Sequence, residues 1–115
     1  MYNRMVVHMD LSDVEVDRIF RALADATRRD ILRRTLDGGA SVSHLAAAYD
    51  MSFAAVQKHV AVLEGAGLVT KEPRGRERVV RGNPEALTRV RALLDRYEQI
   101  WRARIARLDA LLTED

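Results

Sequence analysis

The stretch SFAAVQKHVAVLEGAGLV, residues 52–69, decides the fold. Ser52 is a residue type that caps the amino end of helices, and Gly65 and Gly67 end the pattern that follows it. The apolar residues between them have the three- and four-residue spacing of one helix face; they are Val56, Val60 and Leu63. The stretch therefore predicts a helix over Phe53–Gly65 that buries one face and exposes the other.

Three shorter helices are predicted before this one. Ser12 and Glu15 have the spacing of a capping box that begins the first helix, and Asp25 is positioned to cap a second helix that ends before Gly38. A short third helix is predicted within residues 43–49. Residues 50–52, Asp-Met-Ser, favour a turn over a helix interior. The order indicates two short helices joined by a tight turn, the second being Phe53–Gly65.

The chain then changes period. Leu68–Glu72 and Arg76–Arg81 are short extended runs joined by Pro73-Arg74-Gly75, which predicts a β-hairpin. The fold class is therefore mainly α with a small β-hairpin, in the order α-α-α-α-β-β-α. This is the arrangement of a winged helix-turn-helix.

Asn83-Pro84 marks the start of a final helix over residues 84–112. At about 1.5 Å per residue it would be about 43 Å long, and its apolar residues continue at three- and four-residue spacing to the end. A domain of this size cannot cover such a helix, so the helix predicts a partner, most simply a second copy in a twofold dimer. The dimerisation residues predicted on this helix are Leu87, Val90, Leu94, Tyr97, Trp101, Ile105 and Leu108.

Composition is that of one globular domain over residues 1–115, with residues 1–11 as an amino-terminal extension. The chain is 48% hydrophobic and has no cysteine, which excludes disulfides and thiolate chemistry and fits the cytoplasm. No apolar run has the length of a membrane span, so no membrane partner is expected. The net charge is only +2, but residues 71–81 hold five basic residues against two acidic ones.

These features together predict binding to double-stranded DNA. The amino-terminal end of the helix after the turn carries short or polar side chains that would enter a major groove, and arginines of the hairpin would contact phosphates. Gln57 suits an adenine edge, Lys58 a guanine edge or a phosphate, and Phe53 suits a thymine methyl group or packing against a neighbouring helix. His59 could equally enter the groove or pack beneath its own helix. The predicted DNA-binding residues are Ser52, Phe53, Ala54, Ala55, Gln57, Lys58, His59, Arg74, Arg76 and Arg78.

Residues 14–112 resemble the ArsR-type winged-helix transcriptional repressors. The resemblance is carried by IFRALADATRRDIL (19–32), MSFAAVQKHVAVLEGAGLV (51–69), GRERVVRGNPEAL (75–87) and RYEQIWRARIARLDALL (96–112). It implies a homodimer joined through the first and last helices, which adds Ile19 to the dimerisation residues. It also implies an inverted-repeat operator over the protein's own or a neighbouring promoter.

The sequence departs from the family at its metal sites. The Cys-Val-Cys run of founding members reads Ser41-Val42-Ser43 here, and serine hydroxyls do not replace thiolates for a soft metalloid. Residues 84–112 contain no histidine, unlike the zinc and nickel sensors of the family. The tail that contains Tyr97, Trp101, Arg104, Leu108 and Leu111 is similar to a metal-independent branch of the family, so the resemblance implies no metal and no cofactor. An unconventional site that uses His8, His44 or His59 stays open.

Two other function classes remain to be separated from this one. A winged helix also serves as a protein-interaction module, in which the last helix would bind a foreign partner. An enzyme is not expected, because the sequence offers no nucleophile–base pair, phosphate-binding glycine loop or metal-ligand spacing.

Overall fold

The computed structural model describes residues 11–113 and has five helices and three short strands in that range. The predicted mainly helical fold is confirmed. The elements in chain order are α1 (Asp13–Leu23), α2 (Ala26–Leu36), β1 (Ala40–Ser41), α3 (Val42–Ala47), α4 (Phe53–Gly65), β2 (Val69–Arg74), β3 (Glu77–Gly82) and α5 (Pro84–Thr113).

The helix caps follow the local sequence. The Glu15 amide donates to the Ser12 hydroxyl while the Glu15 carboxylate accepts from the Ser12 amide, which completes the predicted capping box. Asp25 caps α2 as predicted. The third helix differs from the prediction, since it begins at Val42 and not at residue 43. Its cap is the Ser41 hydroxyl, which accepts from the His44 amide at 3.0 Å.

The sheet has one strand more than the predicted hairpin. Its order is β1-β3-β2, with both pairs antiparallel, and β1 pairs Ala40 with Val80 and Ser41 with Val79. The extra strand is two residues long, too short for a periodic signal in the sequence. It forms because β3 lies beside the segment that leads into α3.

The hairpin turn begins two residues later than in the predicted Pro73-Arg74-Gly75 connection and shares only Gly75 with it. β2 continues through Pro73 to Arg74, which pairs with Glu77, so the connection is Gly75–Arg76. Gly75 has φ +66°, as the first central position of a type II′ hairpin turn requires. Pro73 is tolerated inside the strand because β2 is an edge strand.

The core fixes α4 firmly. The side chains of Val56, Val60 and Leu63 are fully buried, among apolar residues from the other helices and the sheet. A Schellman motif ends the helix: the Gly67 amide donates to the Glu64 carbonyl and the Leu68 amide to the Leu63 carbonyl. The orientation of α4 is therefore set by burial on one side and by capping at both ends.

α5 behaves differently along its length. Its first turns contribute the buried Ala86 and Val90, and the Asn83 side chain joins its start to the Gly67 carbonyl at 3.1 Å. Every residue from 94 to 113 is exposed. These 20 residues extend about 30 Å beyond the domain at about 1.5 Å per residue.

Candidate functional site

The outward face of α4 presents most of the side chains predicted to read DNA. Ser52, Phe53, Ala54, Gln57 and Lys58 are exposed, whereas Ala55 and His59 are half-buried. The phenyl group of Phe53 is unusual in this position, since 47% of the residue is exposed although it is large and apolar. The face thus combines one amide, one ammonium group and one phenyl group with small side chains.

Ser52 has a structural duty. Its hydroxyl accepts a hydrogen bond from the Ala55 amide at 3.0 Å and so begins α4. The proton of the same hydroxyl remains available, so the hydroxyl can also donate a hydrogen bond to an anion beside the start of α4. The amino terminus of α4 also carries the positive end of the helix dipole.

His59 faces the domain rather than the outward side of α4. Its Nδ1 lies 3.2 Å from Arg28 Nη1 and 3.9 Å from Asp25 Oδ2. Arg28 also donates to the carbonyls of Ala22 and Arg21 at 2.8 and 3.0 Å. His59 therefore connects α4 to the junction of α1 and α2, and its ring contributes to the position of the helix.

The Asp25 carboxylate strengthens that junction. It accepts from the Arg28 amide at 3.0 Å, and this backbone hydrogen bond is the main cause that lowers the pKa of Asp25 from its ordinary value. A carboxylate at a helix amino terminus satisfies an amide that the helix itself leaves unpaired.

The wing, which we define as residues 69–82, carries the three predicted arginines in exposed positions. Arg74 ends β2, Arg76 lies in the turn and Arg78 is near the start of β3. A cleft of about 320 Å³ separates the wing from α4, and Phe53, Gln57, Arg76 and Arg78 all line it. The structure thus brings part of the α4 set and part of the wing set together, while Arg74 lies outside this lining.

Lys71 is a member of this cleft that the sequence reasoning missed. The residue is half-buried, and its Nζ lies 3.8 Å from Glu64 Oε1 on α4. The strand period contained the signal, because Lys71 is two residues from the buried Val69 and so faces the helix. Lys71 is thus a third cationic side chain in the lining beside Arg76 and Arg78, and its ammonium group is paired with Glu64.

The predicted dimerisation residues divide into two sets. Ile19 and Val90 are only 3% and 7% exposed and lie in the core of their own protomer, which removes them from the surface. Leu87 is half-buried against the same core. The remaining five are 44–58% exposed; they are Leu94, Tyr97, Trp101, Ile105 and Leu108.

Further apolar side chains extend that exposed surface. Ile100, Leu111 and Leu112 are exposed on α5, and Val14 and Phe20 are exposed on α1. Apolar side chains exposed in this number along one helix are typical of an interaction surface. We call the α5 part, residues 94–112, the distal stripe.

A polar cluster ties the helix before the turn to α2. The Asp30 carboxylate accepts from Arg33, Arg34 and the Tyr49 hydroxyl, and the Arg34 guanidinium lies 5.6 Å from the centre of the Tyr49 ring. These hydrogen bonds, that of Arg34 first, hold the pKa of Asp30 well below its usual range. Burial of Tyr49 is the main cause that raises the pKa of its hydroxyl to about 12, and the hydrogen bond to Asp30 is the second cause. The cluster positions the turn that leads into α4.

Across residues 11–113 no group of three or more His, Cys, Asp or Glu side chains is arranged to hold a metal ion. His44 is exposed on α3, and His8 lies outside the described range, as does all of the predicted extension except Leu11, which packs against the core. Of the helices in the described part of the chain, none is long and apolar enough to cross a membrane.

Known proteins match both the sequence and the fold. Residues 23–72 match a family model described as a helix-turn-helix domain. The HTH-type transcriptional regulator Rv2034 of Mycobacterium tuberculosis is 42% identical over 81 residues, which cover 70% of this chain and 76% of the relative. The match to the family model includes α2, α3, the turn and α4.

Solved structures extend the likeness. The crystal structure of an ArsR family transcriptional regulator, RHA00566, superposes with a TM-score of 0.76 at 35% identity, covering 81% of this chain and 96% of the other. The homodimeric winged helix-turn-helix DNA-binding domain Mb0332 from Mycobacterium bovis has a TM-score of 0.62 at 23% identity, covering 86% and 89% of the two chains. The second likeness concerns the fold alone.

Proposed function

Because this chain belongs to the ArsR family of winged helix-turn-helix transcriptional regulators, we propose that it is a homodimeric repressor that binds an inverted-repeat operator. The operator would lie at its own or a neighbouring promoter, and bound dimer would block access of the polymerase in the cytoplasm. Family membership makes the chain a regulator and not an enzyme.

The observation that carries the proposal is the cleft shared by α4 and the wing. Gln57 and Phe53 from α4 face the same space as Arg76 and Arg78 from the wing. With α4 in a major groove, the wing arginines reach the adjacent phosphates, and the bases are read by the α4 side chains. Contacts to phosphates position the protein, while contacts to base edges supply the sequence preference.

The distal stripe supports the homodimer. It begins where α5 leaves its own domain, so no part of the described protomer covers it. A twofold dimer covers the stripe and supplies two α4 helices, which matches a twofold symmetric operator. The Mycobacterium bovis domain with this fold is homodimeric.

Regulation without a thiophilic metal follows from α3. Ser41 and Ser43 occupy the positions of the family's thiolates, and the Ser41 hydroxyl is engaged as the α3 cap. We therefore propose that release from the operator does not depend on arsenite or cadmium.

Selection of bound DNA from a random pool, followed by sequencing, tests the function. The proposal predicts a twofold symmetric consensus with half-sites about one helical turn, about 34–36 Å, or a multiple of it apart. A selection that enriches no sequence would contradict the proposal.

Single substitutions then locate the interface. Lys58→Ala and Arg76→Ala should weaken operator binding while circular dichroism stays that of the folded protein, because both side chains are exposed. Arg107→Ala is the matched control, since Arg107 is equally cationic and exposed but lies on α5 and does not line the cleft. Equal losses from all three variants would contradict the assigned interface.

The alternative function is a winged-helix protein-interaction module, and the exposed distal stripe is the observation that favours it. In that case the stripe binds a foreign protein and the chain alone is monomeric. Light scattering separates the two functions, because a dimer in the absence of any partner rejects the module.

A further inference from the structure

The outward face of α4 has an apolar group where a polar reader would be expected. Phe53 is in the first turn, with nearly half of its surface exposed, and the next residue, Ala54, is also exposed. Gln57 follows Phe53 by four residues, which places the two side chains next to each other on the helix surface. A ligand that covers the exposed part of the phenyl group gains free energy from the apolar area that it removes from water.

The surroundings of Phe53 define what such a ligand must be. The cleft beside it is lined by Arg76, Arg78 and Lys71, with Glu77 as its acidic member. A ligand that fills it therefore presents anionic groups at the cationic rim and an apolar group at the phenyl ring. A hydrophobic protein segment lacks the anionic rim, so charge complementarity favours DNA.

The major groove offers a matching apolar group. Thymine presents a 5-methyl group there beside its O4 acceptor, and apolar side chains read it by contact. The adenine of the same base pair presents the N6 and N7 pattern that a glutamine amide recognises. Phe53 and Gln57 together are thus suited to A·T pairs.

We propose that Phe53 is a specificity-determining residue that reads a thymine methyl group in each operator half-site. This inference rests on the proposed function, since it assigns a base preference to the same surface. The contact places the phenyl ring against the methyl group while Gln57 donates to and accepts from the adenine edge. The small side chain of Ala54 leaves room for the groove wall to approach.

Deoxyuridine provides a selective probe, because it lacks the methyl group and keeps the pairing edge of thymine. The selected operator is prepared with each thymine in turn replaced by deoxyuridine, symmetrically in both half-sites. At one position the wild-type affinity should fall about fourfold per half-site, the effect of one methyl group left in water. At that position the Phe53→Ala protein should bind the thymine and deoxyuridine operators equally.

Two further variants keep the test decisive. Lys58→Ala should retain the full loss on deoxyuridine substitution, since its ammonium group does not contact the methyl group. Phe53→Leu should retain part of the loss of affinity on deoxyuridine substitution. This variant replaces Phe53→Ala in the test if Phe53→Ala does not fold. The inference is overturned if deoxyuridine substitution lowers the affinity of the wild type and of Phe53→Ala equally. It is also overturned if no deoxyuridine substitution changes the affinity of the wild type.

The outcome also separates this inference from the proposed function. If selection enriches no sequence, the proposed function fails. If selection gives a symmetric operator that is insensitive to every methyl deletion, the proposed function stands and Phe53 is a packing residue against α3 or the wing.

Discussion

α4 and the distal two thirds of α5, residues 94–113, are both helical and both expose apolar side chains, but the contacts that support them differ. α4 buries three side chains completely and is capped at both ends. Residues 94–113 of α5 are exposed on every side. In proteins most of the stability of a helix comes from packing of its apolar face, which residues 94–113 lack within the described protomer.

The difference shows that exposure has two meanings in this molecule. On α4, exposed side chains are held at fixed positions by the buried face beneath them, as a reading surface requires. On α5, no part of the described protomer supports the exposed stripe, and in the proposed homodimer a second copy of the chain supplies that support. Variants of α4 should therefore alter DNA recognition or protomer stability, whereas variants of the distal stripe should alter assembly.

The largest effect is expected from charges in the distal stripe. Trp101→Glu combined with Leu108→Glu should weaken dimerisation by on the order of a thousandfold or more, because carboxylates without partners are costly to bury. Light scattering over a concentration series measures the change. The protomer fold should survive, since neither residue packs in the core.

The matched control places the same charges on the opposite side of α5. Gln99→Glu combined with Ala103→Glu should leave the dimer intact, because these residues are about half a turn from the stripe. Dissociation by both double variants would show that α5 loses its helix rather than its interface.

The second largest effect concerns the buried side of α4. Leu63→Ala should lower the free energy of unfolding by about 2–5 kcal/mol, because it leaves a cavity in the core. Val62→Ala, the adjacent and exposed position, should change it by only about 0.5 kcal/mol. Denaturant unfolding at fixed protein concentration measures both, and equal effects would reject the assigned orientation of α4.

A pH effect is expected from the cluster that positions the turn. Because the pKa of Asp30 is lowered in the folded chain, its stabilisation is present at neutral pH and is lost as the pH falls below about 4. Asp30→Asn should cost about 1–2 kcal/mol at pH 7, and the difference from wild type should shrink in acid. Asp37→Asn, at an exposed position after α2, is the control; a constant difference for Asp30→Asn across pH 2–7 would contradict the linkage.

The smallest effect is expected at the α4 cap. Ser52→Ala should lower the free energy of unfolding by about 1 kcal/mol, because the Ala55 amide loses its partner. Ser43→Ala, an exposed hydroxyl inside α3, is the comparison and should be nearly neutral. Thermal unfolding measures both variants, and a neutral Ser52→Ala would remove the cap from the account.

Local signals explain what the sequence could predict. The bounds of α4 follow from Ser52 at its start and Gly67 after its end, and both signals lie within a few residues of the bound that they set. The capping box of α1 and the start of α5 at Pro84 are equally local signals. β1 could not be predicted, because its two residues become a strand only by pairing with Val79 and Val80.

The predicted sites show the same limit. Helical spacing predicted Val90, and the family resemblance predicted Ile19, as dimerisation residues. Neither signal says which chain covers an apolar side chain, and both of these residues are buried in the core of their own protomer. The chemistry of His59 suited either side of α4, and only the Arg28 contact places it inward. Lys71 was missed because its role depends on the distance between β2 and α4.

The mass of the complex with the selected operator tests the central claim most directly. We expect light scattering to find two copies of the 13.0 kDa chain on each operator duplex. The double variant Trp101→Glu/Leu108→Glu should lose operator binding together with dimerisation. A single chain per operator that binds with full sequence selectivity would contradict it.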